Sequence, residues 1–329
     1  MADIDIFSLQ PSVISRDLKG KYILLYGAPK VGKTSFAVQA PRALVCAFEK
    51  GTNALSNVKA QPISKWVDFK KILSQLRQPR AKEIYDTVVI DTVSIAFSLC
   101  EKYICQREGV DNIRDVSWGQ GWTMLKNEFQ ESFREITMLG FGIIFIAHEK
   151  NKATNLVDEN GDAISAVAPD IPQAAYTIVN GIVDIIGYIS VEDFDENTQL
   201  GKRYLYTRQT PRIFAGSRYK YLEPKIPFGY DELVNAIGDA LEKDAKFNGA
   251  RIVDHEDNHG DTTRLFSDVM DETRNLFIRL SEDESADANM EKVSKIIARY
   301  FGSSDFRLSE TKESQQDLLE AVLEEMKQI

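Results

Sequence analysis

A chain of 329 residues, 43% apolar and 27% charged, has room for one large or about two ordinary globular domains. It is too apolar for a disordered chain and holds no 18-residue apolar run, and its three cysteines (Cys46, Cys100, Cys105) cannot frame a disulfide scaffold. The net charge of −10 argues at first against a nucleic-acid partner, but it is unevenly spread: residues 231–329 carry 24 acids against 12 bases, residues 1–230 carry 26 against 28.

In chain order, the opening Met-Ala-Asp-Ile-Asp-Ile-Phe sets acids between apolar residues and lacks a secretory signal's pattern, so residues 1–20 read as an arm with a possible role in self-association. A reducing, cytoplasmic compartment fits the free cysteines. From there short, branched apolar runs alternate with helical spacing. Tyr22 to Tyr26, Ala43 to Phe48, Thr87 to Ile90 and Gly142 to Ala147 read as buried parallel strands. Lys33 to Gln39, Trp66 to Leu76, Val93 to Arg107 and Trp122 to Leu139 read as the helices between them. This alternation predicts an α/β fold with a mostly parallel central sheet flanked by helices. From Thr154 turn signals at 158–161 and 195–197 predict hairpins, including a strand at Arg203 to Thr207. Residues 248–261 read as a linker, separating a core at 21–247 from an acidic, all-helical extension at 262–329.

The first strand runs into Gly27, Ala28, Pro29, Lys30, Val31, Gly32, Lys33, Thr34 and Ser35, the Gly-x-x-x-x-Gly-Lys-Thr phosphate loop, placed between strand and helix as the chemistry requires. Its backbone N–H groups suit the phosphates of ATP, Lys33 reaches the β- and γ-phosphates, and the Thr34 hydroxyl suits Mg²⁺. Asp91, ending the run Val88-Val-Ile, is the carboxylate for the same metal. Glu49 follows the next apolar run and is placed to orient water, and His148 ends another strand. From Lys202 to Lys225, seven basic residues with Tyr204, Tyr206, Phe214, Tyr219 and Tyr221 between them have the composition of a single-strand nucleic-acid surface. Lys202, Arg203, Arg208, Arg212 and Lys220 are its candidate phosphate contacts, and Lys150 and Lys152, at the polar stretch Asn151 to Gln173, are two more. Trp118 and Trp122 are read as packing at a helix start, with base stacking as the alternative. His255 and His259 make only a weak metal pair.

The order of phosphate loop, Ala47-Phe-Glu-Lys50, Val89-Ile-Asp-Thr92 and Ile146-Ala-His-Glu-Lys150 resembles the RecA-like core ATPases. It looks most like the phage-encoded single-strand-annealing recombinases of the fourth Sak class, with motif similarity to bacterial RadA, over roughly residues 15–230. The resemblance implies that Glu49 activates water and that His148 couples the γ-phosphate to DNA-binding loops after residue 150. It further implies a trans-acting finger in the Gly216-Ser-Arg-Tyr-Lys220 segment, where Gly216 stands in place of the expected Lys, Arg218 is the candidate and Lys220 its substitute. A trans finger implies a ring or filament, single-stranded DNA as partner, and the cytoplasm of a bacterial host. Ile4 to Phe7 resembles the strand that docks on a neighbouring subunit. Two alternatives stand beside this reading. One is an ATP-switched replication accessory or helicase loader that recruits a single-strand-binding protein or replisome component through its acidic helices; the other is a small-metabolite kinase.

Overall fold

The computed structural model describes residues 13–15, 17–51, 55–157, 159, 161–195, 197–198, 200–248, 251–253, 266–283 and 285–329. The chain divides into two compact units, Met1–Asp261 and Thr262–Ile329. The readings at Ile4 to Phe7, His255 and His259 lie outside the described residues.

In the first unit the elements run β1 (Val13–Ser15), β2 (Tyr22–Gly27), α1 (Lys33–Ala37), β3 (Ala43–Ala47), β4 (Ala60–Pro62), α2 (Trp66–Leu76), α3 (Pro79–Ile84), β5 (Thr87–Asp91), α4 (Val93–Glu108), α5 (Gly121–Met138), β6 (Gly142–Val157), β7 (Ala163–Pro169), α6 (Gln173–Ile182), β8 (Ile185–Glu192), β9 (Lys202–Tyr206), β10 (Gly216–Ser217), β11 (Lys225–Pro227), α7 (Tyr230–Asn248) and β12 (Arg251–Val253). The main sheet has the order β11-β9-β8-β2-β6-β5-β3-β4, with β10 on β8 and β7 on β6. Strands β4, β3, β5, β6, β2 and β8 are mutually parallel; β7, β9, β10 and β11 join antiparallel. One strand, β6, separates the phosphate-loop strand β2 from the acid-bearing β5. This is the RecA-like architecture: a mostly parallel sheet with helices on both faces, hairpins beyond it, and helices at the C-terminal end.

The alternation along each central strand divides the core in two. Leu24, Val88, Ile90, Ile143 and Phe145 face a layer containing α2, α4, α5 and α6, where Trp66 stacks on Phe129 and tilts against Phe69, and Phe129 meets Phe133 edge to face. Ile23, Leu25, Val45, Val89, Ile144 and Ile146 face α1 and α7. Burying each such side chain contributes about 1.5–3 kcal/mol, and residues buried on both faces explain why these strands read as continuous apolar runs.

Three differences from the sequence reading have local causes. Helix α1 ends at Ala37 because the chain tightens into i→i−3 bonds, Gln39 N–H to Phe36 and Ala40 N–H to Ala37, ahead of Pro41, and Arg42 then takes a left-handed φ of 43°. β6 continues ten residues past Ala147, so the hairpin predicted from Thr154 is present but its pairing with β7 already begins at Glu149, where the resemblance implied a loop after residue 150. Part of the segment read as a linker is strand, since β12 pairs in parallel with β1. Three residues are too few to show a period.

The second unit consists of α8 (Phe266–Glu282), α9 (Ala286–Phe301) and α10 (Gln316–Met326) around Val269, Val293, Ile297, Leu319, Val322 and Leu323. Among the described residues no helix is long and apolar enough to cross a membrane.

Candidate nucleotide-binding site

Parallel pairing brings four strand ends into one row. Gly27 on β2 lies beside His148 on β6, Asp91 on β5 beside Ile146, and Ala47 on β3 beside Asp91. The residue following each apolar run therefore emerges at the carboxyl edge of the sheet, where open α/β sheets bind ligands. Glu49 is drawn in by the chain itself, because the Phe48 and Glu49 N–H groups both donate to the Asp91 carbonyl oxygen, at 2.7 and 3.0 Å.

The phosphate loop is built for close approach. Gly32 has a left-handed φ of 109°, and a Cβ there would lie 2.6 Å from Arg203 Nη1; a Cβ on Gly27 would lie 2.8 Å from the Ile189 carbonyl oxygen. Only glycine fits either place. Lys33 reaches back across the loop and donates to the carbonyls of Gly27 and Ala28 at 2.8 and 2.7 Å. Burial lowers its pKa from the ordinary lysine value, against the opposing pull of Asp91, Glu149 and Glu49. Thr34 Oγ1 donates to Asp91 Oδ2 at 2.8 Å. Burial is also the main cause that raises the Asp91 carboxyl above its usual range, with the Thr34 hydrogen bond acting the other way. A hydroxyl beside a desolvated carboxylate is a hard-oxygen pair of the kind Mg²⁺ takes, and the residues present fit that ion.

His148 Nε2 lies 3.1 Å from Glu49 Oε2, so an Nε2–H donates to this carboxylate. The two side chains are about one-third exposed, open to a reactant yet held by each other. His148 also sits where β6 leaves the central sheet and enters the β6–β7 hairpin.

Two contributors were not legible as site residues. Glu149 adds a third carboxylate whose charge favours the Lys33 ammonium and helps push the Tyr188 phenol up to about 12, after burial itself. An acid immediately after the strand-end His was the available signal. Arg203, read as a DNA contact, instead donates to the Val31 carbonyl at 3.1 Å and lies over the Phe228 ring. It thereby forms one wall of a cavity of about 540 Å³ beside the phosphate loop, shared with Lys202, Tyr204, Pro227 and Phe228.

The basic, aromatic segment is not one surface. Along β9 the side chains alternate, sending Arg203 and Leu205 to one side and Lys202, Tyr204 and Tyr206 to the other. Arg208 donates to the carbonyls of Ser217, Tyr219 and Lys220 and organises its own loop. Tyr204 and Tyr206 donate to Asp193 and Glu192. Lys150 pairs with Asp170 at 3.1 Å, and Lys152 lies over the Phe214 ring. Lys202, Arg212 and Lys220 are exposed, Lys220 over Tyr221. Arg218 follows β10 at the amino edge of the sheet, opposite the phosphate loop, where it pairs with Asp184 at 3.1 Å and donates to the Gly181 carbonyl. Packing at a helix start does not describe Trp118: it is 95% exposed, in a left-handed turn with φ 60°. Cys46, Cys100 and Cys105 are buried free thiols.

Residues 19–219 match the family described as AAA domain (AAA_24). The SPbeta prophage-derived uncharacterized protein YorG of Bacillus subtilis (strain 168) is 30% identical over 333 residues, covering 99% of this chain and 98% of that protein. Similar solved structures include the flagellar accessory protein FlaH of Methanocaldococcus jannaschii, 13% identical, and a KaiC-like protein of Pyrococcus horikoshii OT3, 14% identical. Each covers 64% of this chain and 85% of its own at a TM-score of 0.33. The fold assignment stands on the strand order and the phosphate loop.

Proposed function

The chain belongs to the AAA domain family, and on that premise we propose that it hydrolyses ATP at the carboxyl edge of its sheet and uses nucleotide state to control a grip on single-stranded DNA. The observation that carries the reading is the single row formed by Lys33, the Thr34–Asp91 pair and the Glu49–His148 pair. Residues Gly27 to Ser35 would cradle the phosphates, with Lys33 exchanging its two carbonyl partners for β- and γ-phosphate oxygens. Thr34 and Asp91 would hold Mg²⁺, which when bound neutralises developing phosphate charge. Glu49 would orient and deprotonate water, and its hydrogen bond to His148 ties that step to the root of the β6–β7 hairpin. A reactant that draws Glu49 away releases His148, and the hairpin carrying Lys150 and Lys152 can respond. Lys202, Arg212 and Lys220 are the exposed cations left for a DNA backbone. Arg218 points away from its own phosphate loop, so a role in hydrolysis requires a neighbouring copy, in a ring or filament.

The prophage origin of the relative favours recombination or repair in a bacterial host's cytoplasm, the setting of the fourth Sak class. ATP turnover measured with and without single-stranded DNA, for the wild type and Glu49→Gln, tests the reading. DNA should stimulate the wild type, and Glu49→Gln should lower turnover by about 10²-fold or more while keeping nucleotide binding. Turnover indifferent both to DNA and to Glu49→Gln would overturn it.

A further inference from the structure

The C-terminal unit holds a cavity of about 450 Å³ between α8, α9 and the segment at 303–309. Its floor is Val293 and Ile297, and its walls include Met270, Phe277, Met290 and Phe306. Phe306 is fixed by stacking on Phe301, with centroids 4.2 Å apart. A space of this size accepts one or two large apolar side chains, and two methionine walls allow it to adjust to their shape. Arg274 and Arg307 stand at the mouth. Neither guanidinium has an ion-pair or hydrogen-bond partner among the described residues. Acids are not scarce in this unit, since residues 262–329 carry 15 against 9 basic residues. Three other cations here do find them, Arg299 with Glu325 at 2.6 Å, Lys327 with Glu272 and Glu324, and Lys295 with Glu291, while Arg279, Lys292 and Lys312 make no ion pair among the described residues; what sets Arg274 and Arg307 apart is that both line the cavity.

We propose that this cavity docks an acidic peptide of a partner protein, which inserts an apolar side chain against Val293 and Ile297 and sets its carboxylates on Arg274 and Arg307. Charge complementarity selects this occupant. A purely apolar ligand would leave the two guanidinium groups unanswered, whereas an acidic segment without an anchor would leave the cavity unfilled. The acidic surface of the unit then works as a filter, repelling acidic chains that do not reach the mouth. The proposal is independent of ATP hydrolysis by the first unit.

The test uses the full chain and a fluorescein-labelled peptide, Gly-Ser-Asp-Glu-Asp-Leu-Phe, read by anisotropy. Binding should saturate, and should weaken roughly tenfold or more when the peptide acids become Ser, when its Phe becomes Ala, or when the protein carries Arg274→Glu with Arg307→Glu. Ser294→Trp, which fills the cavity without touching the charges, should abolish binding while the thermal unfolding curve stays cooperative. With methyl-labelled methionine, the peptide should move the Met270 and Met290 signals and leave Met124 and Met138 in place. No saturable binding at peptide concentrations on the order of 1 mM would overturn the proposal. So would binding that survives the charge reversal, or saturable binding of decanoate with none of the peptide.

Discussion

The two edges of the central sheet carry charged clusters of opposite design. At the amino edge two carboxylates are answered by cations and an N–H: Asp86 receives two hydrogen bonds of 2.6 Å from Arg42, and Asp184 receives Arg218 and the Tyr22 N–H, each at 3.1 Å. At the carboxyl edge Lys33 spends its ammonium on carbonyls, and Asp91 is held by a neutral hydroxyl. Both are buried, and burial shifts both toward neutrality. Asp86 and Asp184 are therefore answered within the chain, whereas Lys33 and Asp91 keep buried charge that no ion pair with another side chain among the described residues neutralises. Incomplete satisfaction of buried charge marks the site more clearly than charge density does.

The largest effect should come from Lys33→Met. Turnover should fall by about 10² to 10³, because Lys33 is the cation that reaches back across the loop to Gly27 and Ala28, whereas Arg203 holds only its outer side at Val31. The same substitution should leave the melting temperature unchanged or raised, since it removes a desolvated ammonium. A clear fall in melting temperature would mean that Lys33 is structural and would erase the contrast between the edges.

The carboxylates sharpen the comparison further. Asp86→Asn should destabilise by about 1–3 kcal/mol, through loss of the charge-assisted pair with Arg42. Asp91→Asn should be neutral or stabilising by about 1 kcal/mol, as expected when a buried charge is removed. The sign follows from linkage: the folded Asp91 pKa lies above its unfolded value, so the folded state binds the proton more tightly, and this group's contribution to stability is lost as pH rises through the folded pKa. Urea titrations of both variants at neutral pH, and of the wild type between acid and neutral pH, check both directions. Equal destabilisation by the two substitutions would break the comparison.

The smallest effect separates the phosphate loop from the proposed DNA surface. Arg203→Ala should raise the KM for ATP by roughly three- to tenfold, through loss of the hydrogen bond to Val31 and the contact with Phe228. DNA affinity measured without nucleotide should barely change. Arg212→Ala should do the reverse, weakening DNA binding and flattening its salt dependence.

Legibility in the sequence followed the range of the interaction. The phosphate loop and Asp91 are local patterns, each a strand followed at once by its functional residue, so composition and spacing placed them correctly at the strand ends. Helix α2 coincides with its apolar period because Trp66, Phe69, Leu73 and Leu76 recur on one face. The Glu49–His148 contact was not legible, since it spans 99 residues and depends on β3, β5 and β6 lying side by side. The basic stripe illustrates the opposite failure. Residues adjacent in the chain alternate across a strand, so Arg203 turns to the Val31 carbonyl of the phosphate loop while its neighbour Lys202 does not, and Arg208 turns inward to satisfy carbonyls of its own loop.

The net charge shows the same division at the scale of the molecule. That the acidity belongs to residues 231–329 is a property of the chain alone, as are the phosphate loop, the central strands and the helical tail, because each is written in neighbouring residues. Which charges are spent internally and which remain available for a ligand was decided only by tertiary structure. Ion pairs and hydrogen bonds act over a few ångströms, and only the fold determines which groups come within that reach.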